Sequence, residues 1–522
     1  MGRSYCLLRA ISLIIVIGVL GLMALVVVGS LRYGSFEDLV LRVRAEVASY
    51  RPHPLYVPTP LPRPAKTVQA VANPAMGSQA VTATPARIPA ATGTATARPT
   101  ESGTAVARQA SPDASFLFSD ALAAGAPTPA RPAGFTPQPR ATLLPGGQPT
   151  ARPGATPSTL VDVLTAEPPP AAPAASPLYR RALPVTQLTG FTHIWQRWNN
   201  CGPSTLAMYL SFYGQLYDQA DLANVLKGNK DDKNVSPEEV VAYARQLGWR
   251  AVVRYNGDFD RLHLFLSNGI PVMIETWLEK EQPGDGVGHY RLLTGYDDAS
   301  QQWTVYDSYV TKGVRSDQLY AGIPMTYAEL NGWWEVFNRP YVLVYPEASE
   351  PLVRSILGQD ADDAAMWQRA LAQAQSEAQQ RPNDPYTWFN VGTDLAALGR
   401  FDQAVMPYER ARVIGLPWRM LWYQFGPFRA YYMTGDYEQL AALADATIAT
   451  QGEIEEVYYW KGMGLAGQGR FDGARQAWQH ALSLRASYAE AAAALTRLNQ
   501  PSARDQPQGL APVGTGSAGR GI

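Results

Sequence analysis

The sequence predicts a multidomain chain: an N-terminal transmembrane helix, a disordered Pro/Ala/Thr-rich linker, an α+β domain, and an all-α region of helical repeats. Three observations predict this. Residues 10–31 carry no charge and match the roughly 20 residues a helix needs to cross a bilayer. Of the 42 prolines, 25 fall between Arg51 and Arg180. Short β-prone segments then alternate with helical signals up to about residue 346, after which strand signals stop and alanine-rich helical periodicity takes over.

The N-terminal part, residues 1–50, reads as an uncleaved signal anchor. A cleavable signal has a shorter apolar core of about 7–15 residues and an A-x-A-like site, and neither is evident. Arg3 and Arg9 precede the span while Arg32, Glu37 and Asp38 follow it, so the N-terminus is expected in the cytoplasm and the remaining domains outside it. Residues 51–180 are too poor in large apolar side chains to offset the entropy of ordering. As a flexible coil such a linker spans roughly 60–70 Å, which suits a tether.

Charge and cysteine content exclude several functions. With 44 basic and 45 acidic residues the chain has no field of one sign, so a nucleic-acid partner is not expected. Cys6 and Cys201 lie far apart, one beside the apolar span, which rules out a disulfide framework and a cysteine zinc site. The polar stretch 228–234 has oxygen ligands, but its spacing does not fit a calcium loop and its lysines argue for solvent. No metal and no cofactor is expected.

The α+β domain is expected over residues 183–346. Ser236 as N-cap, Pro237 at the first helical position and Glu239 closing a capping box predict a helix over 235–244. Another is predicted near 259–267, stopped by Asn268-Gly269, with strands at 271–277, 290–296, 303–307 and 341–345. Helices first and an antiparallel sheet afterwards give the α+β class.

The chemistry points to Cys201. Pro203 marks a helix start, so Cys201 sits at a helix N-terminus, where unpaired N–H groups and the helix dipole favour a thiolate. A lone cysteine is also commonly a buried inert side chain. His289, of five histidines the best placed as a general base, begins a predicted strand. Asp307 lies on the following strand and reaches the same face in a suitable antiparallel register, where it would orient the imidazole. Gln196, five residues before Cys201, is a candidate oxyanion-hole donor alongside the Cys201 N–H. His193 and His263 fall outside this set. The glycine-rich stretch 278–288 reads as either a loop over the cleft or an ordinary connector, and Trp333-Trp334 as core or groove wall.

The run Gln-x-Trp-Asn-Asn-Cys-Gly-Pro, then Gly-His-Tyr and Tyr-Asp-Ser, resembles the bacteriocin-processing, double-glycine-leader peptidase family of papain-like cysteine peptidases. The resemblance covers about a third of the chain. It implies a papain-like α+β fold with Cys201 as nucleophile, His289 as base, Asp307 as orienting carboxylate and Gln196 at the oxyanion hole. One departure stands out: papain-like enzymes commonly place the glutamine six residues before the cysteine, where this chain has Trp195. The chain also lacks a phosphate-binding Gly-x-x-x-x-Gly-Lys loop and a multi-helix membrane domain, so leader-peptide processing does not carry over.

Residues 352–498 contain Gly399-Arg-Phe-Asp, Gly435-Asp-Tyr-Glu and Gly469-Arg-Phe-Asp at spacings of 36 and 34. Repeats of this length with a Gly-x-aromatic turn resemble tetratricopeptide repeats. Trp388, Gly392, Phe401, Ala404 and Tyr408 fall on pattern positions in the first, and Tyr458, Gly462, Phe471, Ala474 and Trp478 in the third; the middle one has Phe428 where glycine is expected. The tail, 499–522, reads as disordered.

Together these features predict a membrane-anchored extracytoplasmic cysteine peptidase acting on a peptide or protein substrate, with repeats that bind a protein partner or substrate. Two alternatives share the same residues: a catalytically inactive peptidase-fold scaffold, and a thiol transamidase in which an amine rather than water releases the acyl group.

Overall fold

In a computed structural model of the chain, the described residues are 26–27, 35–49, 56–61, 178–278, 286–309, 320–450 and 453–500. Most of the apolar span 10–31, residues 62–177 and the whole tail 501–522 lie outside them. Among the described residues no helix is long and apolar enough to cross a membrane.

The α+β expectation holds, and additional elements complete it. A helix α1 (Phe36–Ser49) comes first, followed by a short strand β1 (Val185–Gln187). Helices α2 (Cys201–Ser211), α3 (Gln219–Leu226) and α4 (Pro237–Gln246) precede strand β2 (Arg250–Arg254) and helix α5 (Phe259–Ser267). Then come β3 (Val272–Leu278), β4 (Val287–Asp297), β5 (Gln302–Asp307), β6 (Ile323–Thr326), α6 (Tyr327–Trp334) and β7 (Tyr341–Tyr345). The capping box at the start of α4 is formed: Ser236 Oγ accepts from the Glu239 N–H and the Glu239 carboxylate accepts from the Ser236 N–H. Sequence reading passed over β1, α3, β2, β6 and α6. The three strands are short and held by the sheet, whereas α3 and α6 carry local signals, the N-caps Asp218 and Thr326.

The strands form one antiparallel sheet in the order β2-β7-β3-β4-β5-β6, with β1 added along the end of β4. Each face is covered by helices. Leu206, Met208 and Leu210 of α2, with Leu222, Leu226, Val240 and Val241, pack on one side against Met273, Leu292 and Val344. Leu262, Phe265 and Leu266 of α5, with Leu330 and Trp334, pack on the other against Ile274, Leu293 and Val305. Helix α7 (Glu350–Leu357) also belongs to this second layer through Val353, Ile356 and Leu357, so the core runs past residue 346.

The C-terminal region is wholly helical among its described residues: α8 (Asp363–Gln380), α9 (Pro385–Ala397), α10 (Phe401–Ile414), α11 (Met420–Tyr423), α12 (Gly426–Met433), α13 (Tyr437–Ala449), α14 (Glu455–Gly467), α15 (Phe471–Leu484) and α16 (Ala489–Leu498). The three motif glycines Gly399, Gly435 and Gly469 take left-handed backbones of nearly equal φ, +73°, +74° and +75°, at the turns before α10, α13 and α15. Gly392 and Gly462 let paired helices approach: a Cβ there would lie 2.7 Å from the Tyr408 ring and 2.3 Å from Trp478.

The two regions share one surface. Trp277, Val336 and Phe337 of the α+β domain join the apolar core of the helical region. Polar links flank them: Arg381 Nη1 donates to Glu335 Oε1 at 2.7 Å, and Asn390 Nδ2 to the Glu335 carbonyl at 2.8 Å. At the far end Arg485 Nη1 donates to Glu239 Oε1 at 2.6 Å and Asn234 Nδ2 to Glu456 Oε1 at 3.3 Å.

Residues 56–61 depart from the expectation of an unbroken disordered linker over 51–180. They lie extended on the helical region with Val57 buried. An aliphatic anchor and a backbone with few donors to satisfy make this short proline-rich stretch able to bind where its neighbours have nothing to bury.

Candidate active site

Cys201 is the first residue of α2, and Asn199 just before it takes a left-handed backbone at φ +50°. Helix α2 is buried along its whole length from Gly202 to Ser211, so it enters the core with its N-terminus aimed at the sheet. The approach is close: a Cβ at Gly202 would already touch the Tyr290 ring at 3.4 Å. The half-buried Cys201 thiol thereby comes to interact with the His289 imidazole on β4.

The register brings Asp307 to the other side of that ring. Strands β4 and β5 pair Arg291 with Asp307, so His289 lies two residues along on the same face. His289 Nε2 sits 2.9 Å from Asp307 Oδ1, which leaves Nδ1 for the thiol. Asp307 is fully buried and also accepts the Tyr309 N–H at 2.8 Å, while Arg291 Nε forms an ion pair with Oδ2 at 3.0 Å. Arg291 is itself fully buried, hydrogen-bonded to Thr276 Oγ1 and stacked 4.8 Å over the Trp333 ring.

These contacts set the charges. Burial pushes the Cys201 thiol up, but the hydrogen bond and charge of His289, with the backbone at Tyr290 and Gly202, outweigh it and leave the thiol lowered. Burial alone would lower His289, yet the Asp307 carboxylate and the thiol raise it to about 9. Both shifts favour the charged forms, thiolate on Cys201 and imidazolium on His289.

Gln196 is held beside this chain by Ser308. Its N–H donates to the Ser308 carbonyl at 2.9 Å, and Ser308 Oγ donates to Oε1 at 2.8 Å, which leaves the Nε2 hydrogens to donate elsewhere. Trp195 is exposed and lies edge-on to His193, with ring centroids 4.2 Å apart. His193 does not join the relay: its Nε2 contacts the Asp307 carbonyl at 2.8 Å, and burial lowers it to about 4, so it is neutral. Residues 279–285, the predicted loop before His289, lie outside the described residues.

Several residues that shape the site were not found by sequence. Buried Gln219 of α3 fastens the loop ahead of Cys201: its Oε1 accepts from the Arg197 N–H at 2.7 Å, Ser204 Oγ at 3.0 Å and Asn200 Nδ2 at 3.2 Å, and its Nε2 donates to the Trp195 carbonyl at 2.7 Å. Lys227 adds bonds from Nζ to the Trp198 carbonyl and Asn200 Oδ1, both at 3.2 Å. Tyr423 arrives from the helical region and hydrogen-bonds the backbone of Gly288, where a Cβ would lie 2.9 Å from its ring. No spacing announces such residues, because each acts through a tertiary contact. Arg291 had one available signal, its position two residues from His289 on the same strand face. Replacing Gln219 with leucine strands four polar groups, so kcat is expected to fall on the order of tenfold or more with the melting temperature lowered; unchanged kinetics and melting would remove Gln219 from this role.

Glu275 on β3, paired in register with Tyr290, is buried near the thiol. Burial, with the charges of Glu238 and Cys201 added, raises its carboxyl well above the ordinary range. The folded chain thus holds a proton the unfolded chain releases above its ordinary carboxyl value of about 4.3, and this costs stability increasingly as pH rises. Glu275→Gln is expected to melt higher than wild type by a margin that widens between pH 5 and pH 8. A margin constant with pH contradicts a raised Glu275 carboxyl.

A half-buried cysteine at a helix N-terminus facing a strand-borne histidine and carboxylate, on an antiparallel sheet covered by helices, is the arrangement of a papain-like fold. Residues 183–339 match the model of the Peptidase C39-like family, which agrees. Among solved structures, the chain is similar to the peptidase domain of Streptococcus ComA, a bifunctional ABC transporter involved in a quorum-sensing pathway, at 15% identity over 30% of this chain and 100% of that one, TM-score 0.24. It is also similar to a C39-like peptidase from Bacillus anthracis, at 17% identity over 31% and 98%, TM-score 0.25. A third is xylellain, a cysteine protease from Xylella fastidiosa, at 13% identity over 35% and 95%, TM-score 0.22. No curated protein matches the chain.

Proposed function

We propose that this chain is a cysteine peptidase in which Cys201 is the nucleophile, His289 the proton carrier, Asp307 its orienting carboxylate and Gln196 a donor to the oxyanion. The observation that carries this reading is the placing of Cys201 at the start of α2 against His289 on β4, with His289 Nε2 2.9 Å from Oδ1 of buried Asp307. The thiolate attacks a peptide carbonyl, and the Cys201 N–H with the Gln196 amide stabilises the oxygen's developing charge. His289 gives its proton to the leaving amine, and the acyl group remains on sulfur. Water then loses a proton to His289 as it attacks the thioester, which releases the acid and restores the thiolate.

The uncharged run 10–31 acts as a single-pass anchor with the catalytic domain outside the cytoplasm, and the helical region is a tetratricopeptide-type stack that engages a protein. The matched glycine turns and close glycine contacts of that region support the repeat reading. The test is incubation of the full chain, and of Cys201→Ser, with a proteome-derived peptide pool followed by mass spectrometry of new termini. New termini that appear with wild type and vanish with Cys201→Ser are the expected result; none with either protein, or the same set with both, counts against peptidase activity.

A further inference from the structure

We propose that the surface of the helical region formed by Arg412, Gly415 and Leu416 at the end of α10 and Gln439 of α13 is a binding site for an extended, proline-containing peptide, and that its occupant is this chain's own segment 56–61. This goes beyond the peptidase reading and does not depend on thiol chemistry. It assigns this one surface of the helical region to a segment of the same chain.

The segment reads Tyr-Val-Pro-Thr-Pro-Leu, and its two prolines have no N–H to satisfy. Only Val57, Thr59 and Leu61 carry backbone donors after Tyr56, and two of these three are engaged. The Val57 N–H donates to the Leu416 carbonyl at 2.8 Å, and the Leu61 N–H to Gln439 Oε1 at 3.0 Å. Gln439 answers through Nε2 to the Leu61 carbonyl at 2.7 Å, so one side-chain amide reads both backbone groups of one residue, as a neighbouring strand would. Arg412 Nε donates to the Pro58 carbonyl at 2.8 Å.

The receiving side is built for this. Gln439 and Arg412 are 3% and 5% exposed, and buried polar groups of this kind are costly unless paired. Arg412 is pre-set by its own bond from Nη1 to Tyr431 Oη at 2.7 Å. Val57 is buried to 4% exposure, and the Tyr56 ring lies over Gly415, where a Cβ would stand 3.6 Å from it. Prolines favour the extended conformation beforehand, which lowers the entropy lost on docking.

A second contact of the same N-terminal stretch agrees. On α1, Glu37 pairs with Lys230, and Arg42 lies 5.4 Å over the Trp198 ring in the loop before Cys201. The chain re-enters at Leu178, whose N–H donates to Ser355 Oγ at 3.0 Å.

The experiment inserts a sequence-specific protease site near residue 110 of the full chain, adds a C-terminal affinity tag, and cuts the purified protein. The N-terminal fragment is expected to stay with the tagged fragment in about one-to-one ratio through gel filtration. Val57→Asp, and separately Gln439→Leu, are expected to speed its loss on the order of tenfold, the effect of losing one buried anchor or two hydrogen bonds. Val57 belongs to the docked segment rather than to any helix, so an unchanged melting transition in Val57→Asp separates lost docking from lost folding. Immediate release from the cut wild-type protein overturns the proposal. So does equal retention by both variants, which would leave α1 as the contact that holds the fragment.

Discussion

Replacement of His289 with alanine is expected to lower kcat/KM for peptide cleavage by about 10²–10⁴-fold, the range a positioned proton carrier contributes. The loss has two sources. Without the imidazolium the Cys201 thiol keeps the burial that raises its pKa and loses the hydrogen bond and charge that lower it, so little thiolate remains at pH 7. The leaving amine also loses its proton donor. Because His289 is raised to about 9, wild-type activity is expected to hold across neutral pH and fall above about pH 9, where the imidazolium that protonates the amine is lost. A profile that keeps rising through pH 10 contradicts that assignment, as does a His289→Ala enzyme of near wild-type rate.

The largest expected effect on stability is at Asp307. Asp307→Asn removes the negative charge from a fully buried pair and leaves the Arg291 guanidinium charged with no counter-ion in its sheet, which is expected to cost about 3–5 kcal/mol. Activity falls as well, because His289 loses the carboxylate that raises and orients it. The two losses separate in a double variant. Arg291→Met with Asp307→Leu replaces the buried pair by apolar groups of similar size, and is expected to recover most of the stability while remaining inactive. Denaturant unfolding of the single and double variants checks this. A stable Asp307→Asn, or a double variant less stable than the single one, contradicts the account of a costly unpaired charge.

The sequence made those parts legible that rest on local chemistry. The α4 capping box, Asn268-Gly269 closing α5, and the β-branched and aromatic runs of β3, β5 and β7 are decided by residues near one another in the chain. Cys201, His289, Asp307 and Gln196 were legible for a related reason: each lies beside a helix start, a strand or the motif itself, and one antiparallel register suffices to bring His289 and Asp307 together. The rest depends on packing. Gln219 matters because an acceptor on α3 meets three donors from 197–204, and Tyr423 because the helical region lies against the end of β4. Segment 56–61 was concealed by its surroundings. Composition averaged over 130 residues says nothing of six residues with a valine anchor and a surface elsewhere in the chain to receive it.

The central claim, that Cys201 and His289 form an ion pair, is tested most directly by the rate of iodoacetamide alkylation against pH in a Cys6→Ser chain, where Cys201 is the one thiol. The account predicts a midpoint well below the free-cysteine value of about 8.5, rising when His289 is replaced by alanine. A midpoint at or above that value, unchanged by His289→Ala, would contradict it.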